Sequence, residues 1–178
     1  MKDYLICVDS DGCAMDTMTI KHERCFGPQL VGVFGLEEWE KPILTRWNVI
    51  NLYTKKRGIN RFQGLLLMLE EVDAQYVKIS GLEKFADWVK HTEAYSEANL
   101  QAAIKEAKER GRLQEKPGDV DGCELLEKVL AWSQRVNAAI QKLPEEEKRE
   151  FPGVREAFEK IKAVADLAIV SSANREAL

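Results

Sequence analysis

A short apolar run at residues 4–8 constrains the fold of this chain more than any other feature. Apolar and polar residues do not alternate in it, which favours a fully buried strand of a parallel sheet over a half-exposed strand. The run ends in Asp9-Ser10-Asp11-Gly12, so two carboxylates follow the predicted strand directly. Because ligands of open α/β sheets bind beyond the carboxyl ends of the strands, the sequence predicts a functional site at these two acids.

The spacing of Asp9 and Asp11 indicates a metal site. Two carboxylates so close together repel each other, and a hard cation such as Mg²⁺ offsets the repulsion. Gly12 lets the backbone adopt unusual torsions and approach an anion closely. An EF-hand calcium loop does not fit, because its fifth and twelfth positions would be Cys13 and Ile20. A solvated turn without chemistry is the plainer alternative, because Asp is common in turns.

A second, mostly apolar stretch lies at residues 165–170 and ends in Ser171 and Ser172. Apolar residues at helical spacing over 154–161 precede it, which predicts a helix followed by a second strand. A hydroxyl side chain would then lie at the end of this strand, as the two acids do at the end of the first. Taken without the first motif, the two serines would be interpreted as a helix N-cap.

Together, the two segments resemble the sequence motifs of the haloacid dehalogenase superfamily. Residues 9–17, Asp-x-Asp-Gly-x-x-x-Asp-Thr, resemble its first motif, with Cys13 where Thr or Val is usual. The stretch that ends in Ser171 resembles its second motif, an apolar strand whose terminal hydroxyl binds phosphate. The resemblance implies an α/β fold with a Rossmann-like parallel-sheet core, of which this chain encodes two strands, and a large inserted all-helical cap domain.

The resemblance also implies a role for each site residue. Asp9 would be the nucleophile that forms an aspartyl-phosphate, and Asp11 would be the general acid and base. Mg²⁺ would be bound at Asp9 and Asp11, through the carboxylate of the first and the backbone carbonyl of the second. Gly12, Ser171 and Ser172 would bind the phosphate, Ser172 through its backbone N–H. The implied activity is magnesium-dependent hydrolysis of a phosphoric monoester.

About 130 residues between the two motifs show helical periodicity almost throughout. We predict five helices packed as a bundle, and expect such a cap to close over the site and select the substrate. The predicted domains are a partial core formed by 1–20 with 150–178, and a helical cap formed by 21–149. The five periodic segments span residues 36–50, 62–72, 82–89, 100–107 and 126–140.

Two features of the predicted cap could meet a substrate. The basic segment at 55–61 could bind a second anionic group, with Arg61 best placed for a bidentate contact, although a solvated loop is the favoured interpretation. All four tryptophans of the chain also fall in the cap. We interpret them as core residues, with stacking on a substrate ring as the alternative. They are Trp39, Trp47, Trp88 and Trp132.

Composition limits the partners and the location. A net charge of −4 and a longest basic run of three residues do not favour nucleic-acid binding. No stretch approaches the roughly 18 apolar residues of a membrane span, and the first predicted strand starts too early to leave room for a signal peptide. Four scattered cysteines indicate neither a zinc site nor disulfides. We predict a cytoplasmic protein that acts on a small-molecule phosphate ester.

The third and fourth motifs of the superfamily, which supply a Lys and further acids, follow the second motif. Only seven residues follow Ser171 here. We therefore predict that the chain is an N-terminal portion with little activity alone, and that a second chain or a homodimer partner covers the incomplete sheet. The alternatives are a non-catalytic module, or pseudoenzyme, that binds phosphate esters, and a phosphomutase of the same superfamily.

Overall fold

The computed structural model describes residues 2–113 and 121–171 of the chain. They form a helix-rich α/β structure with a small parallel sheet. The chain divides into two compact units. One is formed by Met1–Cys25 together with Asn137–Leu178, and the other by Phe26–Val136. Among the described helices, none combines the length and the apolar character needed to cross a membrane.

The first unit contains the sheet. Strand β1 spans Leu5–Asp9 and strand β2 spans Asp166–Val170. They pair in parallel, with Asp9 opposite Val170 at their carboxyl ends. Helix α8, Val154–Val164, immediately precedes β2 and packs against it. The two strands, their parallel pairing and the helix before β2 are therefore confirmed.

The expected full burial of β1 is wrong, and β2 is partly exposed as well. Leu5 is 64% exposed, and Ile169 and Val170 are 52% and 55% exposed. Within the described residues the sheet has two strands, so each strand has one neighbour and one open edge. A parallel strand becomes fully buried only when elements cover both faces of its sheet.

The remaining elements of the first unit are short. Helix α1 spans Met18–Lys21 and continues into a π-helical turn at His22–Phe26, where the first unit ends. A 3₁₀ turn at Glu145–Glu147 follows the last long helix. The described part of this unit thus consists of two strands, α8 and short helical segments, joined by loops.

The second unit is helical. Each of the five predicted periodic segments corresponds to a helix, but one further helix, α2 at Gly27–Phe34, was not predicted. Its sequence begins Gly27-Pro28 and contains Gly32, and its apolar residues form no clear 3.6-residue period. A 3₁₀ turn at Glu37–Trp39 leads into α3 at Glu40–Leu52. The helices after it are α4 Arg61–Gln75, α5 Leu82–His91, α6 Glu97–Leu113 and α7 Asp121–Gln141, of which α7 continues beyond the end of this unit at Val136.

Aromatic side chains form the centre of this unit. The rings of Phe26, Trp47 and Trp132 lie 5.9–6.2 Å apart between centroids, and the Trp132 indole N–H donates to the Phe26 carbonyl at 3.3 Å. Trp88 is also buried, whereas Trp39 is partly exposed and packs on a tyrosine. The interpretation of the tryptophans as core residues is confirmed for three of the four.

Candidate functional site

The loop that follows β1 is closed by its own backbone hydrogen bonds. The Ala14 N–H donates to the Asp9 carbonyl at 3.1 Å, and the Met15 N–H donates to the Ser10 carbonyl at 2.8 Å. The Gly12 N–H donates to the Met15 carbonyl at 2.8 Å. Gly12 has a φ of 77°, in the left-handed region that favours glycine. The loop is therefore a defined structure and not an open turn.

The same loop is attached to the segment that precedes α8. The Asp16 N–H donates to the Arg149 carbonyl at 2.8 Å, and the Phe151 N–H donates to the Ala14 carbonyl at 3.0 Å. These bonds connect parts of the chain that lie more than 130 residues apart in sequence. They fix the loop within the unit that carries the sheet.

Asp11 is held by two side chains, one from each end of α1. The Lys21 ammonium lies 2.8 Å from both carboxylate oxygens of Asp11, and the Thr17 hydroxyl donates to one of them at 2.5 Å. Thr17 makes no side-chain cap bond to its own helix. Because residues four apart share one face of a helix, Thr17 and Lys21 reach the same carboxylate.

Lys21 is the residue of this site that sequence reasoning missed. It is 7% exposed, and Thr17 is 3% exposed. The sequence argument assigned charge compensation at the two acids to a metal, but the structure supplies an internal cation for Asp11. The only sequence signal is a lysine beside apolar residues in a short helix, which does not identify its partner.

Asp9 differs from Asp11 in its surroundings. It is the last residue of β1 and is exposed. Among the described residues, no side chain forms a hydrogen bond or an ion pair with its carboxylate. The loop therefore combines one accessible, unpaired carboxylate with one that is partly buried and firmly oriented.

The three residues predicted to bind phosphate differ in how the structure places them. Ser171 directly follows Val170, the register partner of Asp9, so its backbone lies at the carboxyl edge of the sheet beside the loop. The Gly12 N–H is engaged by Met15, and a phosphate would compete with that bond. Ser172 lies outside the described residues.

The loop offers two oxygen donors that fit Mg²⁺. The Asp9 carboxylate is unpaired, and none of the loop's backbone hydrogen bonds between described residues ends on the Asp11 carbonyl. The Asp11 carboxylate, by contrast, is occupied by Lys21. No group of three or more His, Cys, Asp or Glu side chains in the described part of the chain could hold a metal. Mg²⁺ with two protein ligands would retain most of its water, as is usual for this ion.

Arg61 does not belong to a solvated loop. It is the first residue of α4, and the Asn60 side chain caps that helix. The Arg61 guanidinium donates to the Ser133 hydroxyl at 3.2 Å and lies 5.1 Å from the centre of the Phe26 ring. Ser133 in turn donates to Glu97 at 2.7 Å. These contacts lie within the helical unit and give Arg61 a structural role. An anion bound by Arg61 would compete with them.

No protein-family model, curated protein or solved structure matches the chain. The likeness to the haloacid dehalogenase superfamily therefore rests on the residues of 9–17 and 165–172.

Proposed function

We propose that this chain carries the nucleophile and the acid–base residue of a magnesium-dependent phosphoric monoester hydrolase of the haloacid dehalogenase type. The observation that carries the proposal is the contrast between two neighbouring carboxylates at the end of a parallel strand. Asp9 is exposed and unpaired, whereas Asp11 is oriented by Lys21 and Thr17. Such a difference suits one acid for attack on phosphorus and the other for proton transfer.

In the first step, an oxygen of Asp9 forms a bond to the phosphorus and the bond from phosphorus to the ester oxygen breaks. The departing oxygen takes a proton from Asp11 and leaves as an alcohol. In the second step, water attacks the aspartyl-phosphate and gives its proton to Asp11. Inorganic phosphate leaves, and the cycle ends as it began, with Asp9 as a carboxylate and Asp11 carrying the proton that it gives to the leaving oxygen.

The chain's own groups would bind the phosphate beside these acids. The Ser171 backbone lies at the same edge of the sheet, next to the register partner of Asp9. Asp9 and the Asp11 carbonyl are the residues that would hold Mg²⁺, which when bound offsets charge on the phosphoryl oxygens.

The order of elements also supports the proposal. The paired strands β1 and β2 are far apart in sequence, and the helical unit Phe26–Val136 is inserted between them. This order is the one expected of a Rossmann-like core that carries a helical cap. A small phosphate ester is the proposed substrate class.

Hydrolysis of an aryl phosphate by the complete protein, measured with and without Mg²⁺, tests the proposal. We expect activity that requires Mg²⁺ and that is lost in Asp9→Asn. Asp16→Asn is the matched control, because Asp16 is an exposed acid of the same loop and the proposal gives its side chain no role. Binding of phosphate esters without turnover would contradict the proposal and favour a non-catalytic module.

A further inference from the structure

Lys21 is buried although its side chain is charged. Lysine is almost never fully buried unless its charge is paired, and Lys21 is 7% exposed. Its ammonium is equidistant from the two Asp11 carboxylate oxygens, at 2.8 Å. Removing a charged side chain from water is unfavourable unless its charge is paired, and here the Asp11 carboxylate supplies the pairing.

Asp11 is fixed at three points. Lys21 contacts both of its oxygens, and Thr17 donates a further hydrogen bond to one of them. A carboxylate held by a single bond can still rotate about its side-chain torsions, whereas three contacts from two directions fix the plane of the group. The backbone on either side is fixed as well, because Ser10 and Gly12 both bond to Met15.

We infer that Lys21 is a positioning residue, which acts on proton transfer by fixing the Asp11 carboxylate. The inference rests on the proposed function and adds to it a residue that neither sequence motif contains. Lys21 contacts Asp11 and is not assigned to the substrate. Through this contact, replacing Lys21 would disturb the reactions in which Asp11 matters.

The choice of leaving group separates this role from the alternatives. A nitrophenolate leaves without a proton, whereas an alkyl alkoxide requires one, so a correctly placed acid matters most for alkyl phosphates. For Lys21→Met we expect kcat/KM to fall about tenfold or more with an alkyl phosphate, because kcat/KM reports the steps up to the departure of the leaving group. With p-nitrophenyl phosphate we expect a much smaller loss of kcat/KM.

A double-mutant cycle with Asp11→Asn gives the second test. If Lys21 acts through Asp11, then Lys21→Met adds no further loss of kcat in the Asp11→Asn background. The double variant also avoids an unpaired buried charge, so it remains informative if Lys21→Met alone folds poorly. Lys160→Met is the control, because Lys160 forms an exposed ion pair with Glu156 on α8 and should leave kcat unchanged.

A readout that does not depend on activity is the NMR signal of the lysine ammonium groups. We expect a Lys21 signal protected from exchange with water in the wild-type protein and lost in Asp11→Asn. Equal losses of kcat/KM with both esters, or additive losses in the cycle, would overturn the inference while the Asp9-dependent hydrolysis stands. Absence of hydrolysis by the complete wild-type protein would instead overturn the proposed function, and the inference with it.

Discussion

Gly64 of α4 lies against the side chain of Asn51 on α3, so closely that a Cβ atom at Gly64 would be 2.6 Å from the Asn51 Oδ1. Asn51 is buried, and its amide donates to the Trp47 carbonyl at 2.9 Å. The amide cannot swing away from a new methyl group without losing that bond. The pair therefore sets how closely α3 and α4 approach each other.

Gly64→Ala should destabilise the helical unit. Alanine is favoured over glycine in a helix by about 1 kcal/mol, but overpacking a buried contact typically costs about 1–3 kcal/mol. Because Asn51 is held in place, we expect the steric cost to exceed the gain in helix propensity. Urea unfolding followed by tryptophan fluorescence measures the result, since all four tryptophans belong to this unit.

Gly32→Ala is the matched substitution with the opposite expected sign. Gly32 is exposed within α2, and a Cβ atom there would have no heavy atom within 4 Å. Only the helix-propensity gain of up to about 1 kcal/mol remains. The urea midpoint should therefore rise for Gly32→Ala and fall for Gly64→Ala. Shifts of the same sign in both variants would show that the contact with Asn51 is not tight.

Arg61→Ala should lower the free energy of unfolding of the helical unit. The substitution removes the donor to the Ser133 hydroxyl and the cation above the Phe26 ring. Loss of one partner of a buried polar group costs about 1–3 kcal/mol. Lys56→Ala is the control, because Lys56 is exposed and should change stability by no more than about 0.5 kcal/mol. Equal melting temperatures for the two variants would argue against a structural role for Arg61.

The four cysteines should react with a thiol reagent in two classes. Cys7 and Cys13 are exposed, whereas Cys25 and Cys123 are buried. Burial raises the pKa of the Cys25 thiol, and the nearby Lys21 and Arg24 cations only partly oppose this effect. Burial likewise raises the pKa of the Cys123 thiol. Because the thiolate is the reactive form, we expect two fast labels in the native protein and two more only in denaturant.

The raised pKa values of the two buried thiols also determine how they change the free energy of unfolding with pH. A thiol with a raised pKa in the folded state keeps its proton to higher pH than in the unfolded chain. Below the ordinary thiol range both states are protonated and the contribution is absent. As the pH rises through that range, the unfolded state loses its proton first, so stability falls. Replacing Cys25 with Ser should flatten this alkaline decline, as measured by urea unfolding at several pH values.

Local periodicity was sufficient to predict both strands, the helix before β2 and five helices of the second unit. Helix α2 was missed because its residues are apolar on most sides and include two glycines and a proline. The burial of β1 was misjudged for a different reason. A continuous apolar run indicates that a strand is suited to burial, but burial itself depends on which elements cover the sheet, and Leu5 is mostly exposed.

The site was predictable where neighbours in sequence are also neighbours in the structure. The loop at Asp9 and Asp11 follows directly from the strand before it. The ion pair between Asp11 and Lys21 spans a loop and a helical turn, so no local spacing rule identifies it. The bonds from the loop to Arg149 and Phe151 are still less accessible, because they join segments from opposite ends of the sequence.

Gly12→Ala should affect both stability and the proposed activity. An alanine at a φ of 77° costs about 1–2 kcal/mol, because its Cβ crowds the backbone in the left-handed region. To relieve this strain, the loop would have to weaken the bond from Gly12 to Met15 and move the adjacent Asp11 carboxylate away from Lys21. We therefore expect a lower melting temperature, a loss of hydrolysis and a loss of the protected Lys21 ammonium signal.

Gly35→Ala separates the local effect of Gly12→Ala from general destabilisation. Gly35 has a φ of 67° at the end of α2, and a Cβ atom there would meet no heavy atom within 4 Å. The backbone strain is thus similar, but it lies in the helical unit and away from the loop in sequence. We expect the melting temperature to fall by a comparable amount in both variants. Only Gly12→Ala should also lose the Lys21 ammonium signal. Retention of that signal in Gly12→Ala would mean that the loop keeps Asp11 in place without the left-handed glycine.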